Sequence, residues 1–122
     1  PDNYQTEPYK GCTYTTSPTN IGMSMLSFIS AHDLSFITTE RLLAHMDHVL
    51  KSIENVDKWH GHLYNWYDVR TLKPVGRKYV SAVDSGNLAA SLMLAAGALR
   101  AAQAICGRGP GFYTLDELLF EI

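Results

Sequence analysis

Residues 85–106 limit the fold more than any other stretch. Leu88, Leu92, Ala95, Leu99 and Ala102 recur at helical spacing, and Met93, Leu94, Ala96, Ala98, Ala101 and Ile105 fill the other directions. The predicted helix is therefore apolar nearly all round until Arg100, and it needs several neighbours to cover it. Gly107 ends it, and Gly109-Pro110-Gly111 forms a loop. A first helix is expected over about 17–32, with Ser17 as N-cap and Pro18 at the first helical position. It too is broadly apolar, with Ile21, Met25 and Phe28 on one stripe and Gly22, Leu26 and Ile29 on the next. A second helix, over about 39–56 behind a Thr38 or Thr39 cap, is an amphipathic outer helix. Leu42, Met46, Val49, Ile53 and Val56 oppose Arg41, Asp47, Lys51, Glu54 and Asp57.

One outer helix cannot cover both the first and the third. Partner helices are therefore expected, either from a larger domain of which this chain is a piece or from a homo-oligomer formed through exposed apolar helices. The chain ends agree with the first expectation. It starts at Pro1, and a capping box from Thr114 to Glu117 opens a helix at about 115 that the chain leaves at Ile122. Residues 1–16 read as an irregular arm. Segments 61–68 and 77–82 read as short extended stretches pairing as a β-hairpin. The fold class is mainly all-α with a short hairpin.

Composition narrows the function. The chain has 122 residues, with ten basic and twelve acidic side chains and a net charge of −2. That balance argues against nucleic acid as the partner, which normally meets a basic face. No apolar run reaches the roughly 20 residues of a membrane span. Cys12 and Cys106 have no CxxC spacing, so they are read as two thiols or one disulfide rather than a zinc or redox motif. His45 and His48 on the second helix are read as solvated helix residues. His60 and His62 alternate on an extended segment, where His62 is read as a sugar-hydroxyl partner rather than a metal ligand, and no metal or other cofactor is expected. Asp84-Ser85 with His62 lacks a nucleophile elbow, and the 107–111 loop lacks a phosphate-loop lysine.

The chemistry-bearing residues lie in three loops, 16–20, 60–68 and 84–87. They mix amides, carboxylates and small hydroxyls with aromatic rings, as recognition of a sugar requires. Hydroxyls pair with Asp and Asn, and the apolar CH face of a pyranose rests on a ring. In an extended segment His62, Tyr64, Trp66 and Asp68 point one way and Leu63, Asn65 and Tyr67 the other. Tyr64, Trp66 and Tyr67 are the expected stacking rings. Asn20, His62, Asn65, Asp68, Asp84, Ser85 and Asn87 are the expected polar contacts. The competing structural reading of Asp84 is a helix N-cap.

Four ordered segments resemble the central glucoamylase-like region of bacterial cyclic β-1,2-glucan synthases. They are Pro1-Asp2-Asn3-Tyr4-Gln5, Thr16-Ser17-Pro18-Thr19-Asn20-Ile21-Gly22, Gly61-His62-Leu63-Tyr64-Asn65-Trp66-Tyr67-Asp68, and Tyr79-Val80-Ser81-Ala82-Val83-Asp84-Ser85-Gly86-Asn87-Leu88. The resemblance covers residues 1 to about 94. Leu63 and Ala82 depart mildly from the pattern and leave the polar positions intact. The resemblance implies a large bacterial inner-membrane parent, with this chain in a soluble region on the cytoplasmic side. It implies the N-terminal part of an (α/α)6 toroid that remodels β-1,2-glucan by glycosyl transfer and ring closure. The substrate would be β-1,2-glucan or another glucose oligosaccharide, and the remainder of the parent chain a physical partner. The principal catalytic carboxylates would lie beyond this chain, leaving Asp68 and Asp84 to bind sugar hydroxyls and the isolated chain inactive. Two other readings are a non-catalytic helical module, carbohydrate-binding or oligomerising, and a small self-contained hydrolase.

Overall fold

The computed structural model describes residues 2–106, so the expected helix from about 115 and the 107–111 loop lie outside the described residues. Three helices dominate: α1 (Pro18–Asp33), α2 (Thr39–Asn55) and α3 (Ala82–Cys106). Six two-residue strands, β1 (Tyr4–Gln5), β2 (Gly11–Cys12), β3 (Thr15–Thr16), β4 (Lys58–Trp59), β5 (His62–Leu63) and β6 (Tyr67–Asp68), pair as β1-β2, β3-β6 and β4-β5, all antiparallel.

Local chemistry sets the helix starts. Ser17 caps α1 by accepting from the Asn20 N–H, and Pro18 occupies the first turn, where a missing N–H costs nothing. Thr38 caps α2 through the Arg41 N–H. The third helix begins earlier than its apolar pattern suggests. Ser81 accepts from the Asp84 N–H at 3.2 Å, and the Ser85 N–H donates to the Ser81 carbonyl at 2.9 Å. Ser81 is thus the cap, and Asp84 sits inside the first turn with its carboxylate free for tertiary work.

The main packing is α1 on α3, and α2 closes the core from outside. Met25 of α1, Leu42, Met46, Leu50 and Ile53 of α2, and Leu88, Leu92, Ala96 and Leu99 of α3 form one buried cluster with Leu63 and Tyr67. Gly22 lets the two backbones approach, since a Cβ there would lie 2.5 Å from Ser91 Oγ and 2.8 Å from Ser91 Cβ. The His45 ring stacks on Phe28, with centroids 3.3 Å apart and an interplanar angle of 3°, which joins α2 to α1. Burial there, together with the neighbouring His48, lowers the His45 pKa.

Three expectations change. Residues 1–16 are not merely irregular: β1 and β2 form a hairpin, and β3 pairs Thr15 with Asp68 and Thr16 with Tyr67. Segment 77–82 is not the strand partner of 61–68. Instead β4 and β5 form a tight hairpin around His60 (φ 48°) and Gly61 (φ 84°), the positive dihedrals that a twisted two-residue turn needs. One backbone bond, from the Asn65 N–H to the Tyr79 carbonyl at 2.9 Å, is all that ties the 77–82 stretch to the aromatic loop by main chain. Finally, Ala82–Ala102 is long and apolar enough to cross a membrane by length and composition. Its Leu88-Leu92-Leu99 side lies in the core against α1, whereas Val83, Met93 and Leu94 are exposed.

Candidate functional site

The aromatic loop alternates as a strand should. Leu63, Asn65 and Tyr67 are buried, and His62, Tyr64, Trp66 and Asp68 are half-buried on the other side. Tyr67 is therefore part of the core rather than a stacking surface. It is 1% exposed, donates to the Asp57 carbonyl and accepts from the Tyr64 N–H, each at 2.7 Å. Burial pushes its hydroxyl up to about 12.

Asn65 points inward too, into a polar nest where the first turns of α1 and α3 meet. Its amide donates to Asp84 Oδ2 at 2.9 Å and accepts from Trp66 Nε1 at 2.8 Å and from the Tyr79 hydroxyl at 2.9 Å. Asp84 Oδ1 accepts from the Thr19 hydroxyl at 2.6 Å, and Thr19 Oγ1 accepts from Asn87 Nδ2 at 3.1 Å. Burial pushes the Asp84 carboxyl up, but hydrogen bonds from Thr19 and Ser81 outweigh it, and the pKa falls below the ordinary value. Asp84 is thus an anion held by hydroxyls and an amide, a strong class of hydrogen bond. Asn20 lies at the same corner, with its amide donating to Asp2 Oδ1 at 3.0 Å.

Four of the expected site residues, Asn65, Trp66, Asp84 and Asn87, are joined in this nest through Thr19 and Tyr79. The other six are dispersed. His62 and Ser85 share a small crevice with Pro18 and Gly61. Tyr64 forms part of a separate cleft with Trp59, Lys78 and Tyr79. Asn20, Tyr67 and Asp68 border a groove of about 440 Å³ between α1 and α2, floored by Ile21, Val49, Ile53 and Val56. Asp68 is committed locally. It receives the Arg70 guanidinium at 2.6 and 3.1 Å and the N–H groups of Arg70 and Thr71, and Arg70 lies 4.1 Å over the Tyr14 ring. The Arg70 hydrogen bonds hold the Asp68 carboxyl at about 2.

Thr19, Tyr79 and Ser81 complete the nest without having been singled out as site residues. Thr19 was legible only as a small hydroxyl beside a capping serine, and Tyr79 lies thirteen residues beyond Trp66, a separation that carries no periodic signal. Among the described residues there is no group of three or more His, Cys, Asp or Glu side chains placed to hold a metal ion. Cys12 is an exposed free thiol.

No protein-family model matches the chain. A stretch of 93 residues, 76% of the chain, is 43% identical to the cyclic β-(1,2)-glucan synthase NdvB of Rhizobium meliloti strain 1021. The chain is similar in sequence to one region of that cyclic β-(1,2)-glucan synthase. It spans 3% of that synthase's length, so the relationship is to one short region of a much larger protein. The fold is shared with solved structures. A glucoamylase candidate from Bacteroides fragilis superimposes with a TM-score of 0.73 at 15% identity, over 98% of this chain and 28% of that one. A β-1,2-glucanase from Parabacteroides distasonis superimposes with a TM-score of 0.71 at 19% identity, over 85% of this chain and 15% of that one. At these identities the likeness is one of fold alone.

Proposed function

We infer that this chain is part of a carbohydrate-active helical domain that binds and remodels β-1,2-glucan within a cyclic β-1,2-glucan synthase. The observation that carries the reading is the match to the synthase, which is 43% identical over 93 residues. The likeness of fold to a β-1,2-glucanase supports it. In this reading α1, α2 and α3 are helices of an (α/α)6 toroid, and the exposed Val83, Met93 and Leu94 of α3 face helices supplied by the rest of the parent. Loops 16–20, 60–68 and 84–87 line one part of a sugar cleft.

The residues divide the work. Trp66 and Tyr64 offer ring faces, and His62, Ser85, Asn87 and Asn20 offer hydroxyl partners. Asn65 and Asp84 hold the loops in register. Hydrolysis or transfer of a glycosidic bond needs two carboxyl groups about 5–5.5 Å apart for retention or about 6.5–9.5 Å apart for inversion. Asp68 is tied to Arg70 and Asp84 to Thr19 and Asn65, so both are engaged in structure, and the reacting pair belongs to the remainder of the parent. The parent is a bacterial membrane-associated enzyme, with this segment in a soluble region.

The test uses the full-length parent. Replacing His62 and Trp66 together by Ala is expected to lower β-1,2-glucan affinity and the yield of cyclic product in a parent that still folds. Unchanged affinity and product would sink the reading. The exposed α3 face also favours a second reading, an oligomerising helical module. Sedimentation of the 122-residue chain distinguishes the two: a stable, specific dimer that is lost on Leu94→Glu favours the module.

A further inference from the structure

The hydrogen-bonding capacity of the polar nest is largely spent inside the protein, whereas a neighbouring aromatic cleft presents its rings to solvent. Trp59, Tyr64, Lys78, Tyr79 and Val80 line a recess of about 300 Å³. Trp59 is 55% exposed and Tyr79 45% exposed, although both are large rings in a chain with an ample core. Neither is loose. Trp59 is carried by the tight β4-β5 turn and packs edge-on against His60 with centroids 4.6 Å apart. Tyr79 is anchored by its hydroxyl on Asn65. Lys78 Nζ sits 5.2 Å from the Tyr64 ring centroid and 3.7 Å from an Asp57 carboxylate oxygen.

We propose that this cleft is a glucosyl subsite, in which one neutral pyranose ring rests its CH face on Trp59 and Tyr79 while Lys78 donates a hydrogen bond to a ring hydroxyl. The proposal rests on the carbohydrate reading above and adds to it a site built from Trp59, Lys78 and Tyr79. Three aromatic side chains, Trp59, Tyr64 and Tyr79, wall the recess beside the Lys78 ammonium, so rings and hydrogen-bonding groups converge on one small volume, as a sugar site needs. A recess near the lower end of the usual range of about 300–1,000 Å³ fits one ring rather than an oligosaccharide. The ammonium already lying over Tyr64 disfavours a cationic guest on the same faces. The anchor on Asn65 couples the cleft to the nest, because whatever orients the Asn65 amide also orients Tyr79.

The experiment titrates linear β-1,2-linked gluco-oligosaccharides into the 122-residue chain and follows the two indole N–H signals by NMR. The Trp59 signal is expected to shift saturably, whatever the Trp66 signal of the neighbouring loop does. Trp59→Ala is expected to weaken binding by about tenfold or more, and Lys78→Gln by a few-fold, on the scale of removing a ring or a hydrogen bond from a small site. Binding that leaves the Trp59 signal unmoved and survives Trp59→Ala overturns the subsite and leaves the proposed function standing. Trp59, Tyr64, Lys78 and Tyr79 are all present in the chain, so a folded chain that binds no glucan also overturns the subsite. The function is judged separately in the full-length parent. Because the shift is read in the unmutated chain, the proposal does not depend on Trp59→Ala folding.

Discussion

The Asp84 carboxylate and the Thr19 hydroxyl, sixty-five residues apart in the chain, meet at 2.6 Å and fasten the first turn of α3 to the first turn of α1. The same carboxylate holds the Asn65 amide, which in turn holds Trp66 and Tyr79. Asp84→Ala removes the anion and strands a buried amide. It is expected to destabilise the chain by about 1.5–3 kcal/mol, the range for a hydrogen bond to a charged group. Urea denaturation measures it. Asp84→Asn is expected to recover only part of the loss, because the carboxylate accepts on both oxygens.

Gly22 sets how closely α1 and α3 pack. A Cβ there collides with Ser91 Oγ and Cβ, and the Asn87 carbonyl stands 3.6 Å away. Gly22→Ala is expected to cost about 1–3 kcal/mol by overpacking, despite its gain in helix propensity. Ser91→Gly in the Gly22→Ala background is expected to restore part of that loss, and a double-mutant cycle reads the coupling. Additive effects would show that the two residues are not the point of closest approach.

Tyr67 spans the aromatic loop and the end of α2. Tyr67→Phe keeps the ring but leaves the Tyr64 N–H and the Asp57 carbonyl without their shared partner. A loss of about 1–3 kcal/mol is expected. Amide hydrogen exchange is expected to quicken first at Tyr64, which locates the damage.

The Asp68 carboxyl titrates at about 2 in the fold against an ordinary 3.8, chiefly because Arg70 hydrogen-bonds its ionised form. A depressed carboxyl pKa contributes stability above the unfolded value, and that stability is lost as pH falls from near 3.8 towards 2. Arg70→Ala is expected to raise the Asp68 pKa towards its ordinary value and to remove this part of the acid sensitivity. Carboxyl-detected NMR titration of both chains provides the check.

Much of the architecture could be read locally. Ser17-Pro18 marks the start of α1 because a side-chain oxygen and a missing N–H are what a first helical turn accommodates. Strand pleating separated Leu63, Asn65 and Tyr67 from His62, Tyr64, Trp66 and Asp68, because alternation needs only an extended backbone. The same alternation sent Tyr67 into the core, against its expected stacking role, and turned Asn65 into an internal clamp. The apolar pattern of α3 hid its true start, since Ser81, Val83 and Asp84 belong to the first turn by hydrogen bonding rather than by hydrophobic period.

The sequence by itself determined that three long helices form, the caps of α1 and α2, and the pool of polar and aromatic residues, because these depend on neighbours within a turn or on side-chain chemistry. Only the tertiary structure decided their partners. It paired β6 with β3 across fifty intervening positions rather than with 77–82, gave Asp84 to Thr19, and gathered Trp59, Tyr64 and Tyr79 around one recess. The close approach of α1 and α3 at Gly22 brings the first turns of the two helices within hydrogen-bond range, where each buried polar group has to find a partner.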